Sequence, residues 1–250
     1  MKSRLIFGAM TIVLCVALAT HAAQTSPTLS QTTLRLIEDW RKEAEKLISS
    51  HQPVGAARVS LLMDLLDRGN RIMEQTGRET AGAQGVGEGF GEAYSTIFGE
   101  LWTSGDRNDQ HVLDVLVRGA YNEDSPFAVE IARGYGERIA PTLLELVQSD
   151  FHIHRITATR MLGTLLQNSR LPSTTRDRVH TAIVNAASDA NPGVRISAVT
   201  TLGRVGTPVD MTILQRIAGN DPESKLQSDG VRRYPVREAA QRAVAEIQKR

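Results

Sequence analysis

Apolar residues recur every three or four positions over much of this chain, and that spacing predicts amphipathic helices. The first such stretch runs from about residue 30 to residue 50, and a second follows the helix-breaking residues Pro53 and Gly55. The apolar positions are Leu34, Ile37, Trp40, Ala44, Leu47 and Ile48 in the first stretch, and Leu61, Leu62, Leu65, Leu66, Ile72 and Met73 in the second. We therefore expect residues 31–107 to form an N-terminal helical region whose hairpin caps the rest of the fold.

Six glycines crowd the segment 77–91 of this region. They are Gly77, Gly82, Gly85, Gly87, Gly89 and Gly91. The backbone entropy of glycine disfavours a stable helix, which predicts a loop or hinge at 77–91, with close packing of a glycine-rich helix face as the alternative. A nucleotide-binding Gly-x-Gly-x-x-Gly motif is excluded, because Phe90 stands where its last glycine would be.

Residues 108–250 repeat themselves. The segment His154–Gly163 aligns with Val194–Gly203 at an offset of 40 residues, and Val236–Ala245 fits a third time at an offset of 42. Each copy keeps an arginine at its second position, an alanine three residues later and an aliphatic residue further on. The small alanines are Ala158, Ala198 and Ala240. They predict helices that approach one another closely.

Further helices are expected between these copies, at 140–149, 173–187 and 208–219, so that each unit of about 40 residues holds two helices. A degenerate fourth unit is predicted at 108–136. Aromatic residues make up only 4% of the chain, which favours packed helices and predicts little or no sheet.

The segment Asp189-Ala-Asn-Pro-Gly-Val-Arg195, followed by Ala198 and Leu202-Gly203, resembles the HEAT repeat family in its short bacterial form, which also occurs in phycobilin lyase subunits. The resemblance covers residues 140–250. It implies an all-α fold, a right-handed α-solenoid of about four antiparallel helix pairs over 108–250. The sequence departs from the pattern at His154, where the family has valine, and in an insertion from Glu223 to Arg233.

In the families that this chain resembles, aspartate and arginine pairs form a ladder between adjacent repeats. The corresponding residues here are Asp150, Arg155, Asp189, Arg195, Asp229 and Arg237. We expect them to be structural, because partly buried, charge-assisted hydrogen bonds would fix how the repeats stack.

Solenoids use an extended face of successive helices to hold proteins or peptides. On the second helix of each repeat, Arg160, Arg204 and Arg242 occupy comparable places near Thr164, Thr200 and Glu246. They are the candidate partner-binding face. The alternative is that these arginines are ordinary solvated charges.

The N-terminus has the order of a secretory signal peptide: Lys2 and Arg4, then the apolar run from Leu5 to Ala19, then small residues. At about 15 residues the run is shorter than the roughly 20 of a membrane-spanning helix. We expect residues 1–22 to be cleaved, residues 23–30 to be a disordered leader, and the protein to be periplasmic or secreted. The alternative is a retained membrane anchor, through the uncleaved signal alone.

No residue pattern indicates catalysis, a metal or a cofactor. The single cysteine, Cys15, lies in the signal, so the mature chain would have no thiol ligand or nucleophile. His152 and His154 are too few for a zinc site and are expected to be solvated loop residues. With 29 basic and 28 acidic residues the chain lacks the strongly basic balance of nucleic-acid binders.

The favoured function is a non-enzymatic, exported scaffold for an unidentified protein or peptide. Two alternatives remain. One is an accessory subunit of an envelope or secreted enzyme, in the manner of the lyase subunits. The other is an envelope structural protein, which an uncleaved N-terminus would favour.

Overall fold

The computed structural model describes residues 28–50, 55–80, 86–120, 126–167, 171–228 and 230–250. The predicted signal peptide, and the predicted leader as far as residue 27, lie outside these ranges. So does Asp229 of the predicted ladder.

The described residues are almost entirely helical, which confirms the all-α, HEAT-like solenoid. The α-helices are α1 Gln31–Ser49, α2 Ala56–Thr80, α3 Glu88–Ser104, α4 Gln110–Gly119, α5 Pro126–Gly134, α6 Ala140–Leu146, α7 His152–Leu166, α8 Ser173–Ala186, α9 Pro192–Val205, α10 Met211–Asn220 and α11 Pro235–Gln248. Short 3-10 helices at Gly136–Ile139 and Pro208–Asp210 precede α6 and α10, and two strands, β1 Lys225–Leu226 and β2 Arg232–Arg233, lie between α10 and α11. Within the described ranges, no helix combines the length and apolar character needed to cross a membrane.

Helices α1, α2 and α3 pack around an aromatic cluster. The rings of Trp40 and Phe90 lie 4.1 Å apart between centroids, and the Trp40 indole N–H donates to the carbonyl of Leu65 at 2.7 Å. Arg58 is buried and links α2 to Glu100 on α3 and to the Leu47 carbonyl at the end of α1. This region is therefore held by its own buried contacts.

The predicted loop or hinge at 77–91 is wrong at both of its ends, which are helical, and residues 81–85 lie outside the described ranges. Helix α2 continues to Thr80, and α3 already begins at Glu88. Gly77 is buried in α2 beneath the ring of Phe151, and a Cβ atom at this position would overlap that ring. Gly77 therefore allows close packing, because the ring of Phe151, just before α7, occupies the space that a side chain would fill.

The repeats form two layers. Helices α6, α8 and α10 each pack against the helix that follows them, and α7, α9 and α11 pack against one another in that order. Helices α4 and α5 occupy the predicted degenerate unit. A continuous core runs through both layers and includes Leu143, Leu162, Ala198, Leu202 and Ala240.

The insertion before the last helix contains β1 and β2, which pair antiparallel. Its side chains from Lys225 to Ser228 and from Gly230 to Arg233 are exposed. The small amount of sheet in the described residues therefore lies outside the helical core.

Candidate functional site

Helices α7, α9 and α11 approach closely because small residues line their contacts. A Cβ atom at Gly163 of α7 would overlap the Thr201 methyl group of α9, and one at Gly203 of α9 would lie 2.9 Å from the Cα atom of Ala243 on α11. The Ser197 hydroxyl also donates to the Ile156 carbonyl across the first contact at 3.1 Å. The spacing of the three helices is thus fixed by backbone-level contacts.

One bidentate ion pair fixes the register between α7 and α9. The guanidinium of Arg155 donates to both carboxylate oxygens of Asp189 at 2.8 and 2.9 Å. Its remaining nitrogen donates to the backbone carbonyls of Ser149 and Asp150, in the connection before α7. Arg155 therefore binds two connections: the one before α7 through backbone carbonyls, and the one before α9 through the carboxylate of Asp189.

The same arrangement recurs one repeat later, between α9 and the connection that follows α10. Arg195 donates to both carboxylate oxygens of Asp221 at 2.7 and 3.0 Å and to the carbonyls of Asp189 and Ala190 at 3.0 Å each. Burial acts to raise the pKa of Asp221, but hydrogen bonds from Arg195 and from the Glu223 N–H outweigh it, so the pKa is lowered. Asp221 is ionised in the folded state at neutral pH.

The third arginine has a different environment. Arg237 donates to the backbone carbonyl of Asp221 at 2.6 Å, and its guanidinium stacks 4.3 Å from the ring centre of Tyr234. Its predicted partner Asp229 lies outside the described residues, and Asp150 contributes only a backbone carbonyl. The carboxylates that pair with arginines here are thus Asp189 and Asp221.

Sequence reasoning did not include Asp221 in the ladder, although a local signal distinguishes it. Asp189 and Asp221 each accept a hydrogen bond from the N–H two residues later, on Asn191 and Glu223. Asp189 thereby stabilises a turn just before α9, and Asp221 stabilises one just after α10. Asn191 in turn caps α9 by accepting from Gly193 and Val194, with Pro192 in the first turn.

The expectation that His152 and His154 are solvated loop residues is wrong about the loop for both and wrong about solvation for His154. Both belong to the first turn of α7, and His154 is only 4% exposed. Its Nδ1 atom lies 3.3 Å from a carboxylate oxygen of Glu74 on α2. Burial, with Arg118 and Arg78 nearby, nevertheless lowers the pKa of His154 to about 4, so the ring is neutral at pH 7.

One side of α7, α9 and α11 carries positions that are equivalent by the repeat offsets and are exposed or half-buried. We call this surface the layer face. Its nine positions form three rows across the three helices: Ile156, Ile196 and Glu238; Arg160, Thr200 and Arg242; Thr164, Arg204 and Glu246. Residues four apart on a helix share a side, so each helix contributes one column.

The three predicted face residues belong to this surface but not to one row. Arg160 and Arg242 are equivalent, whereas Arg204 lies one turn further along its helix, in the row of Thr164 and Glu246. Arg204 and Arg242 are exposed and Arg160 is half-buried. Of the ion pairs found among the described residues, none involves Arg204 or Arg242.

A cavity of about 510 Å³ adjoins the layer face at Thr164. Its wall also includes Arg133, Tyr135 and Glu137, from the end of α5 and the 3-10 helix that follows. The cavity therefore adds a recess and a further arginine beside the face.

Across the ranges that the structure describes, no group of three or more His, Cys, Asp or Glu side chains could hold a metal ion. His180 pairs with the buried Asp210 at 3.0 Å, which ties α8 to the 3-10 helix before α10.

Comparison with protein families shows that residues 139–245 match the family model for HEAT repeats. The comparisons with curated proteins and with solved structures gave no match.

Proposed function

We propose, on the premise that residues 139–245 are HEAT repeats, that this chain is a non-catalytic scaffold that holds a protein or peptide partner on the layer face. A helical repeat scaffold is the coarse function that the family supports, since HEAT repeats commonly mediate protein interactions. The layer face, and the arginines in it, are the specific part of the proposal.

The observation that carries the proposal is the combination of a fixed stack with unpaired cations on its open side. Bidentate pairs and glycine contacts hold α7, α9 and α11 in one register. Within the described residues, Arg204 and Arg242 form no ion pair on that surface. A rigid face costs little conformational entropy when it binds, and arginine is enriched among the residues that dominate binding energy.

Two isoleucines on the layer face support a protein partner over a small ion. Ile156 and Ile196 lie partly buried on the same face as the arginines. Protein interfaces commonly combine apolar residues with arginine, which is enriched there.

Export belongs to the proposal as well, on the strength of the sequence alone. Mass spectrometry of the protein from its own cell should give a chain shortened by about 22 residues, the length of the proposed signal. A full-length chain in the membrane fraction would replace this part of the proposal with a retained anchor.

A second candidate is an accessory subunit of an exported enzyme, and the cavity beside Thr164 favours it. Arg133, Tyr135 and Glu137 could supply one wall of a substrate pocket that another protein completes. A copurifying enzyme whose turnover changes when Tyr135 is replaced by alanine would support this candidate.

Crosslinking of the tagged chain in the cell that produces it, followed by mass spectrometry, tests the layer face. The variant R160E/R204E/R242E should lose the partner that the unchanged protein captures. The matched control is R35E/R178E/R216E, because these three arginines are exposed, lie outside the layer face and give the same change in charge. Capture of the same partner by both triple variants would place the binding surface elsewhere, and loss by both would show a net-charge effect.

A further inference from the structure

The connection between α10 and α11 differs from its counterparts. The connections before α7 and α9 span residues 147–151 and 187–191, whereas this one spans 221–234 and contains β1 and β2. The strands pair Lys225 with Arg233 and Leu226 with Arg232, and the Gln227 N–H donates to the Val231 carbonyl at 2.9 Å. We call the described residues 224–228 and 230–234 the hairpin.

The base of the hairpin is fixed to the repeats. Asp221 is 7% exposed and accepts hydrogen bonds from Arg195 and, through its carbonyl, from Arg237. Tyr234 packs under the guanidinium of Arg237, and Arg232 donates to the Ser224 hydroxyl at 2.8 Å across the hairpin. The exposed strands therefore project from a rigid support.

The pairing of Lys225 with Arg233 is unfavourable in isolation. Residues directly opposite one another in an antiparallel pair lie on the same side of the ribbon, and like charges in such a pair destabilise it. Both side chains are exposed, and neither forms an ion pair with another residue in the described ranges. An anion that lies between them would remove the repulsion.

We propose that the hairpin binds a carboxylate-rich segment of a protein partner, with a carboxylate held between Lys225 and Arg233. Arginine and lysine supply the donors that a carboxylate needs, and the guanidinium can bind it bidentately. Lipid recognition by cations generally uses a cluster of roughly four to eight lysines and arginines, which this hairpin does not have. The partner's protein nature rests on the proposed function, but the surface is separate from the layer face.

Fluorescence anisotropy with the full chain tests this proposal, using a labelled peptide of alternating Glu and Ser as the probe. The unchanged protein should bind the peptide, and K225E/R233E should weaken the binding by at least about ten-fold, since reversed charges repel it. R178E/R216E makes the same change in net charge elsewhere and should keep the affinity within about two-fold. Equal losses in both variants would overturn the proposal.

Two further variants test whether the positive charges of the hairpin, and not the layer face, bind the peptide. K225Q/R233Q should also lose the peptide, while its thermal midpoint equals or exceeds that of the unchanged protein, because the repulsion is gone. R160E/R204E/R242E should keep the peptide. If that variant loses the peptide while K225E/R233E keeps it, the acidic segment binds the layer face, and the hairpin proposal fails while the scaffold function stands.

A lipid target is the remaining competitor. Vesicles of phosphatidylcholine with phosphatidylglycerol should not sediment the protein through Lys225 and Arg233. Sedimentation that is lost in K225E/R233E, with no binding of the Glu-Ser peptide, would overturn the proposal in favour of an anionic membrane surface.

Discussion

Arg195 on α9 binds both carboxylate oxygens of Asp221, and the pair is largely buried, with side chains 11% and 5% exposed. Because Asp221 lies between α10 and α11, this single contact joins the repeat of α9 to the connection between the two helices of the next repeat. The Arg155–Asp189 pair is its counterpart one repeat earlier, and it is somewhat more exposed.

Asp221→Asn should destabilise the protein more than Asp189→Asn, because the carboxylate of Asp221 is the more buried of the two. We expect a loss of about 2–3 kcal/mol in the free energy of unfolding for Asp221→Asn, since a buried arginine loses its charged partner. Urea unfolding measures the difference. An unchanged midpoint in Asp221→Asn would show that the ladder does not stabilise the stack.

Gly163→Ala should destabilise the protein by about 1–2 kcal/mol, because the added methyl group overlaps Thr201. Thr201→Ser removes the overlapping methyl group, so the double variant should recover part of this loss. Gly99→Ala is the control: a Cβ atom there meets nothing within 4 Å, and alanine in a helix is favoured by roughly 0.5–1 kcal/mol. Strict additivity in the double variant would contradict the proposed close contact.

Glu79 should make the attachment of α1 sensitive to acid. Hydrogen bonds from Thr33, Gln75 and the Ser30 N–H lower the pKa of Glu79 from 4.5 to about 2. A folded-state pKa below the unfolded value stabilises the protein above pH 4.5, and this contribution is lost as the pH falls towards 2. Glu79→Gln should therefore be less stable than the unchanged protein at pH 7 and approach it at pH 2.5, measured by urea unfolding. A stability difference that stays the same at both pH values would refute this role.

His154 should make the stability of the protein depend on pH over a higher range than Glu79 does. Its folded-state pKa of about 4 lies below the ordinary value of 6.5, so the unfolded chain binds a proton more readily and stability falls as the pH drops from 6.5 to 4. His154→Gln should flatten the dependence of the free energy of unfolding on pH in this range. The variant Arg178→Gln, an exposed site, should keep the original slope. An unaltered slope in His154→Gln would mean that His154 is accessible to water in the folded state.

The helices of the repeats could be predicted because their signals are local. Apolar spacing and the offsets of 40 and 42 residues placed the units at 140–250, and Asn191-Pro192 and Tyr234-Pro235 mark the observed starts of α9 and α11. Helix α1 also agrees closely with the stretch expected at 30–50, where apolar residues recur at helical spacing.

The remaining features depend on contacts between distant residues. Gly77 favours a loop by its own properties, and only the ring of Phe151, which leaves no room for a Cβ atom, explains why a glycine stands inside α2. His154 is buried because α2 passes beside it and supplies Glu74. Asp221 pairs with an arginine 26 residues earlier, a distance that the spacing within one repeat does not indicate. The layer face remains a prediction, since exposure alone does not identify a partner.

The position of the bidentate pairs has a mechanical consequence. Both pairs involve the first turn of α7 or α9, so they lie along one border of the stack, while the glycine contacts Gly163–Thr201 and Gly203–Ala243 lie towards the other end of the same helices. Pulling the repeats apart at the first border must stretch charged bonds that tolerate little extension, whereas the second border is held by short-range packing. The solenoid should thus resist bending that opens the border with the ion pairs more strongly than bending that opens the border with the glycine contacts.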